Sequence, residues 1–95
     1  MTTDIREFQQ AMRDAYFERD SGRGTWQTVA WLVEEVGELS RAIRKEGKPE
    51  IEHEFGDVIA WLASLANLVD VDLAEAMNRY AKGCPKCGSA PCRCP

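Results

Sequence analysis

A chain of 95 residues has room for one domain, and at this size folding buries only about 60–65% of the surface of the unfolded chain, so the core is thin. Charged residues at 29% and hydrophobic residues at 44% exclude a disordered chain, and a net charge of −4 argues against a general basic surface for nucleic acid. Glu34, Glu35, Glu38, Glu54 and Asp57 interrupt every apolar run, which leaves no candidate membrane span.

The first residues, Met1-Thr2-Thr3-Asp4, carry neither a basic region nor an apolar leader, and the expected location is cytoplasmic. Ile5, Phe8, Met12, Ala15 and Tyr16 recur at three and four, which predicts a helix from about Asp4 to Arg19 with Asp4 and Glu7 as its capping signal. Asp20-Ser21-Gly22-Arg23-Gly24 reads as a turn, and Thr25 as the cap of a second helix running to about Glu46. Gly47-Lys48-Pro49 ends that helix, with Pro49 suited to the first turn of the next. A third helix follows from about Glu50 to Val69 along Ile51, Phe55, Val58, Ile59, Leu62 and Leu65. Asp72 and Glu75 then open a short fourth helix through Leu73, Ala76, Met77 and Tyr80. From Gly83 onward glycine, proline and cysteine end regular structure. The fold class is all-α, divided as residues 1–82 of helical domain and 83–95 of Cys-rich tail.

The second helix is apolar on nearly every side at its start (Trp26, Val29, Ala30, Trp31, Leu32, Val33, Val36), the pattern of a helix buried all round. Within it Trp31, Glu35, Glu38 and Ala42 share one stripe, and on the third helix Glu54, Asp57, Trp61 and Ser64 share another. Antiparallel neighbours joined by a short turn pair residues whose numbers have a constant sum. Glu38 with Glu54, Glu35 with Asp57 and Trp31 with Trp61 meet that condition about a turn near Glu46. Four carboxylates should therefore converge in two layers, closed at one end by a tryptophan pair. Crowded carboxylates repel unless a cation compensates, and hard oxygen ligands suit Mg²⁺ or Mn²⁺, which recruit phosphate oxygens.

Glu34-Glu35-Val36-Gly37-Glu38, then fifteen residues, then Glu54-Phe55-Gly56-Asp57 resembles the EExxE…ExxD signature of MazG-type nucleotide pyrophosphohydrolases. The flanking Trp31-Leu32-Val33 and Val58-Ile59-Ala60-Trp61 are similar to that family too, and the likeness covers about residues 4 to 82. It implies an antiparallel bundle of three long helices and one short one, whose chains pack as homodimers or homotetramers into a larger four-helix-bundle-like core. It implies hydrolysis of a nucleoside triphosphate to monophosphate and pyrophosphate. Glu35, Glu38, Glu54 and Asp57 would hold Mg²⁺, with Glu34 an outer-shell or water-orienting base.

A buried triphosphate needs cationic donors, for which Arg23, Arg79 and Lys82 are the candidates. Trp31 and Trp61 can stack on the base, whereas Trp26 reads as core. Glu50 and His53 form a Glu-x-x-His pattern, but a bundle di-iron site needs it twice and the chain has a single His, so His53 is expected at the surface. In the tail Cys84-Pro85-Lys86-Cys87-Gly88 resembles a zinc knuckle, and Cys92-Arg93-Cys94 adds two thiols. Four thiolates suit tetrahedral Zn²⁺, although the separation of the pairs is short. Rival readings are a related all-α hydrolase, directed at dUTP, dCTP or phosphoribosyl-ATP, and a non-enzymatic metal-binding oligomeric module that docks a partner through the tail.

Overall fold

The computed structural model describes residues 4–95; residues 1–3, part of the stretch without a basic or apolar leader pattern, lie outside them. Four α-helices follow one another, α1 Ile5–Arg23, α2 Thr25–Lys45, α3 Lys48–Leu68 and α4 Leu73–Met77, and a 3₁₀ turn, Asn78–Tyr80, continues α4. No strand occurs among the described residues, and regular structure stops before Gly83, so the all-α reading holds. None of the described helices is long and apolar enough to cross a membrane.

Local signals start most of these helices where expected. Asp4 accepts the Glu7 N–H at 2.8 Å, and Asp72 accepts those of Ala74 and Glu75 at 2.9 and 3.4 Å. Pro49 sits in the first turn of α3. Asp70 takes a left-handed φ of 59° just past α3, a conformation its short polar side chain tolerates.

Two expectations fail between α1 and α2. The turn read at residues 20–24 is not one: Asp20, Ser21, Gly22 and Arg23 continue α1, and the break is confined to Gly24 at φ 94°. A buried pair holds that last turn helical, Arg23 Nη1 donating to Asp20 Oδ1 at 2.7 Å. Thr25 is not a cap either. Gly24 occupies the N-cap position with no side-chain bond, and Thr25 is the first helical residue.

The helices are arranged around α3, against which both α1 and α2 pack. Gln9 on α1 ties the far end together. Its amide donates to Asn67 Oδ1 at 3.1 Å and to the Val71 carbonyl at 2.7 Å, and it accepts from the Leu73 N–H at 2.9 Å. Asn67 returns a bond to the Gln9 carbonyl, and Arg6 reaches Asp72 at 3.4 Å. The fully buried apolar residues are small, Ala42, Ala63 and Ala66.

The expectation that the start of α2 is buried on every side is overturned. Trp26 is 82% exposed and so is not core, Val33 is 64% exposed, and Val36, Phe55, Ile59 and Leu62 also face solvent. The reason is geometric. Three long helices can cover only one stripe of each other, and an all-round apolar helix needs more neighbours than one chain supplies.

Candidate functional site

Glu35 and Glu38 lie a turn apart on α2, Glu54 and Asp57 a turn apart on α3, and these helices pack side by side. The register can be checked at the tryptophan end, where the rings of Trp31 and Trp61 meet edge to face with centroids 5.3 Å apart. The acids follow the same register. The Glu35 carboxyl is held above the ordinary carboxylate range, first by burial and then by the charges of Asp57, Glu54 and Glu38.

Glu54 and Asp57 can each present an oxygen within 4.8 Å of the other, and His53 joins them. The His53 Nε2 lies 3.3 Å from Asp57 Oδ2 while the imidazole stays mostly exposed. The surface placement of His53 is as read from the sequence, but its contact with Asp57 is not. Its i,i+4 spacing to an acid already singled out is the signal that points to it. Most telling is Glu54 Oε2, which is fully buried and has no hydrogen-bond partner. A carboxylate oxygen taken from water without a donor is costly, and a divalent cation at the cluster would supply the missing partner. Oxygen donors of this kind suit Mg²⁺ or Mn²⁺.

Two clefts flank the acids. One, of ≈ 530 Å³, is lined by Glu38 and Glu54 with Arg41, Glu50 and His53. The other, of ≈ 290 Å³, is lined by Asp57, Trp31, Trp61, Arg23, Asp20 and Tyr16 among others. Glu34 is exposed and lines neither.

The cationic donors expected for phosphate are placed differently from one another. Arg23 reaches the second cleft but is already committed. Its guanidinium pairs with Asp20, lies 3.4 Å from Thr28 Oγ1, and stacks 5.0 and 4.8 Å from the ring centres of Trp31 and Trp61. It buttresses the tryptophan pair. Arg79 and Lys82 line a third cleft with Cys84, Pro85 and Gly88, and neither lines the clefts that flank the acids.

Residues 24–86 match the MazG nucleotide pyrophosphohydrolase domain, the stretch that carries α2, α3 and all four acids. The chain belongs to this family. It is also similar to two proteins of Bacillus subtilis (strain 168) that bear only the name uncharacterized. To YvdC it is 34% identical over 73 residues, covering 60% of the chain and 69% of the relative. To YpjD it is 41% identical over 61 residues, covering 54% of the chain and 55% of the relative, so the chain spans about half the length of YpjD. The MazG domain accounts for the helices and the acid pairs, but most of the tail lies beyond the match.

In that tail Cys84, Cys87, Cys92 and Cys94 gather their sulfurs within 4.8 Å of one another. Cys87 is lowered to about 6, chiefly by the Arg93 N–H directed at its sulfur, and Cys84 is lowered first by the Cys87 N–H. Cys94 is raised to about 11, first by its contact with Cys92.

Proposed function

We propose that this MazG domain is a Mg²⁺-dependent nucleoside triphosphate pyrophosphohydrolase, converting a ribo- or deoxyribonucleoside triphosphate and water to monophosphate and pyrophosphate. The observation that carries the reading is the convergence of Glu35, Glu38, Glu54 and Asp57, with a buried Glu54 oxygen that lacks a partner, beside a cleft walled by two tryptophans.

Glu35, Glu38, Glu54 and Asp57 would hold the ion, which when bound offsets the triphosphate charge and activates water. With that charge in place the repulsion that Glu35 feels from its neighbours is relieved. His53 holds the Asp57 carboxylate in position from the open side. Glu34, next along α2 and exposed, is the acid free to order the attacking water. Trp31 and Trp61 form the apolar wall against which a base can lie, and Arg23 with Asp20 keeps that wall rigid. The triphosphate itself would lie towards the acids, its charge met by metal rather than by Arg23.

Two copies of the chain supply what the thin core lacks. Val33 and Val36 on α2, with Ile59 and Leu62 on α3, form exposed apolar surface suited to a homodimer or homotetramer. The division into a helical domain, 1–82, and a tail, 83–95, is part of the same proposal.

The test is incubation of the purified protein with Mg²⁺ and a panel of ribo- and deoxyribonucleoside triphosphates, with products separated by ion exchange. Monophosphate plus pyrophosphate is expected, with Glu38→Gln slower by more than ~100-fold. Diphosphate plus phosphate would reject the assigned bond. No turnover by folded protein, or equal turnover by the variant, would reject the site.

A further inference from the structure

Residues 83–95 contribute nothing to the clefts that flank the acids, yet they are built around four thiols. Cys84 Sγ lies 3.7 Å from Cys94 Sγ, and Cys87 Sγ lies 4.0 Å from Cys92 Sγ. Four thiolates around one tetrahedral Zn²⁺ at ~2.3 Å require sulfur–sulfur edges of ~3.8 Å. A disulfide would hold the same atoms at ~2.05 Å. These two spacings match edges of such a coordination shell, and the four sulfurs gather within 4.8 Å although only a few residues separate the two cysteine pairs.

The backbone is shaped for the same purpose. The Arg93 N–H donates to Cys87 Sγ at 3.3 Å and the Cys94 N–H to Cys92 Sγ at 3.4 Å, contacts that stabilise sulfur charge. The Gly88 N–H donates to the Cys84 carbonyl at 2.7 Å, and the Cys84 N–H to the Ser89 carbonyl at 3.0 Å, which closes the knuckle on itself. Two glycines with positive φ make this path possible. Gly88 has φ 73°, and Gly83 has φ 105°, where a Cβ would come within 2.9 Å of the Ser89 carbonyl oxygen. Four thiolates on a divalent ion leave a net charge of −2, and Lys86 and Arg93 stand between the ligands in sequence to offset it.

We propose that Cys84, Cys87, Cys92 and Cys94 bind one structural Zn²⁺ per chain. Soft sulfur donors in a tetrahedral set select zinc over the hard cations suited to the acid cluster. With all four positions taken by protein, the ion has no open site for substrate, and its role is to hold the tail folded at the end of α4. The site is independent of the proposed hydrolysis, and either can fail without the other.

The test uses the whole chain, purified under reducing conditions without chelator from zinc-supplemented cells. Elemental analysis should give a single equivalent of zinc per chain, released when a mercurial blocks the thiols. Cys87→Ser should weaken binding by more than ~100-fold, whereas a Glu38→Gln, Glu54→Gln variant should keep the full equivalent. Titration of the metal-free wild type with Co²⁺ should produce an intense thiolate charge-transfer band and the visible bands of a tetrahedral ion, a readout that needs no variant to fold. Folded, reduced protein that gives no such bands and holds no zinc would overturn the proposal. So would iron in place of zinc, an intact mass lower by four hydrogens, or zinc lost with the Glu variants and retained by Cys87→Ser.

Discussion

Replacing Asp20 by alanine probes the element that carries the second cleft, and its cost can be worked from the contacts. The Asp20 residue is 3% exposed, Oδ1 takes the Arg23 Nη1 at 2.7 Å, and the guanidinium lies over both tryptophan rings. Alanine therefore leaves a mostly buried cation with only Thr28 Oγ1 and two ring faces. Breaking a buried pair from one side costs about 3–5 kcal/mol. Two corrections lower this figure. Arg23 retains some access to water and a cation–π contribution of about 0.5–2 kcal/mol. Asp20 Oδ2 is itself buried without a partner, a penalty of about 1 kcal/mol that the substitution removes. The expected loss is about 1–3 kcal/mol, against a total stability of about 5–14 kcal/mol for a chain of this size. With a urea slope of about 1.5 kcal/mol per M the midpoint should fall by about 0.7–2 M. Far-UV circular dichroism at fixed protein concentration measures it, alongside Arg23→Met and the double variant. The double variant should cost less than the two singles together by about 1–3 kcal/mol. A loss under about 0.5 kcal/mol for Asp20→Ala, or additive singles, would refute the account of Arg23 as a buttress held by Asp20.

Three further outcomes follow from the acids and from the exposed apolar residues. Because burial and three neighbouring carboxylates raise the Glu35 carboxyl, the folded state binds its proton more tightly than the unfolded state. The associated stability is present at low pH and is lost as pH rises out of the ordinary carboxylate range through the raised value. Glu35→Gln should thus be more stable than wild type at neutral pH without divalent ions, the gap closing on acidification; parallel thermal-melt curves against pH would refute this. Mg²⁺ at a hundred times its Kd should stabilise wild type by about 2.7 kcal/mol and the variant by less. Val36→Lys combined with Ile59→Lys should convert the proposed assembly to monomer in sedimentation velocity, and a wild type already monomeric at micromolar concentration would remove that interface.

Much of the candidate site was legible along the chain because helical periodicity is a local property. Acids at i and i+3 lie on one face of any α-helix, and a short turn at Glu46–Gly47 sets the antiparallel register. Hence the Trp31–Trp61 contact and the crowding of Glu35 by Asp57, Glu54 and Glu38 could be anticipated without coordinates. The exposure of the start of α2 is not legible along the chain, because an apolar pattern states a need for burial, not which chain meets it. At residues 20–24 two glycines suggest a break, whereas the Asp20–Arg23 pair extends the helix to Gly24.

The order of the helices, the pairing of their acid stripes and the membership of the MazG domain family were determined by the sequence itself, since each rests on spacings of a few residues or on one register. Tertiary structure alone decided which groups lost water and found partners. Arg23 became paired with Asp20 over the two tryptophan rings, and His53 approached Asp57 from solvent. Glu54 was left with an unpaired oxygen, and four sulfurs met across a short irregular loop. Those outcomes depend on the path of the backbone between distant positions and on the desolvation it imposes, which no local pattern of residue types encodes.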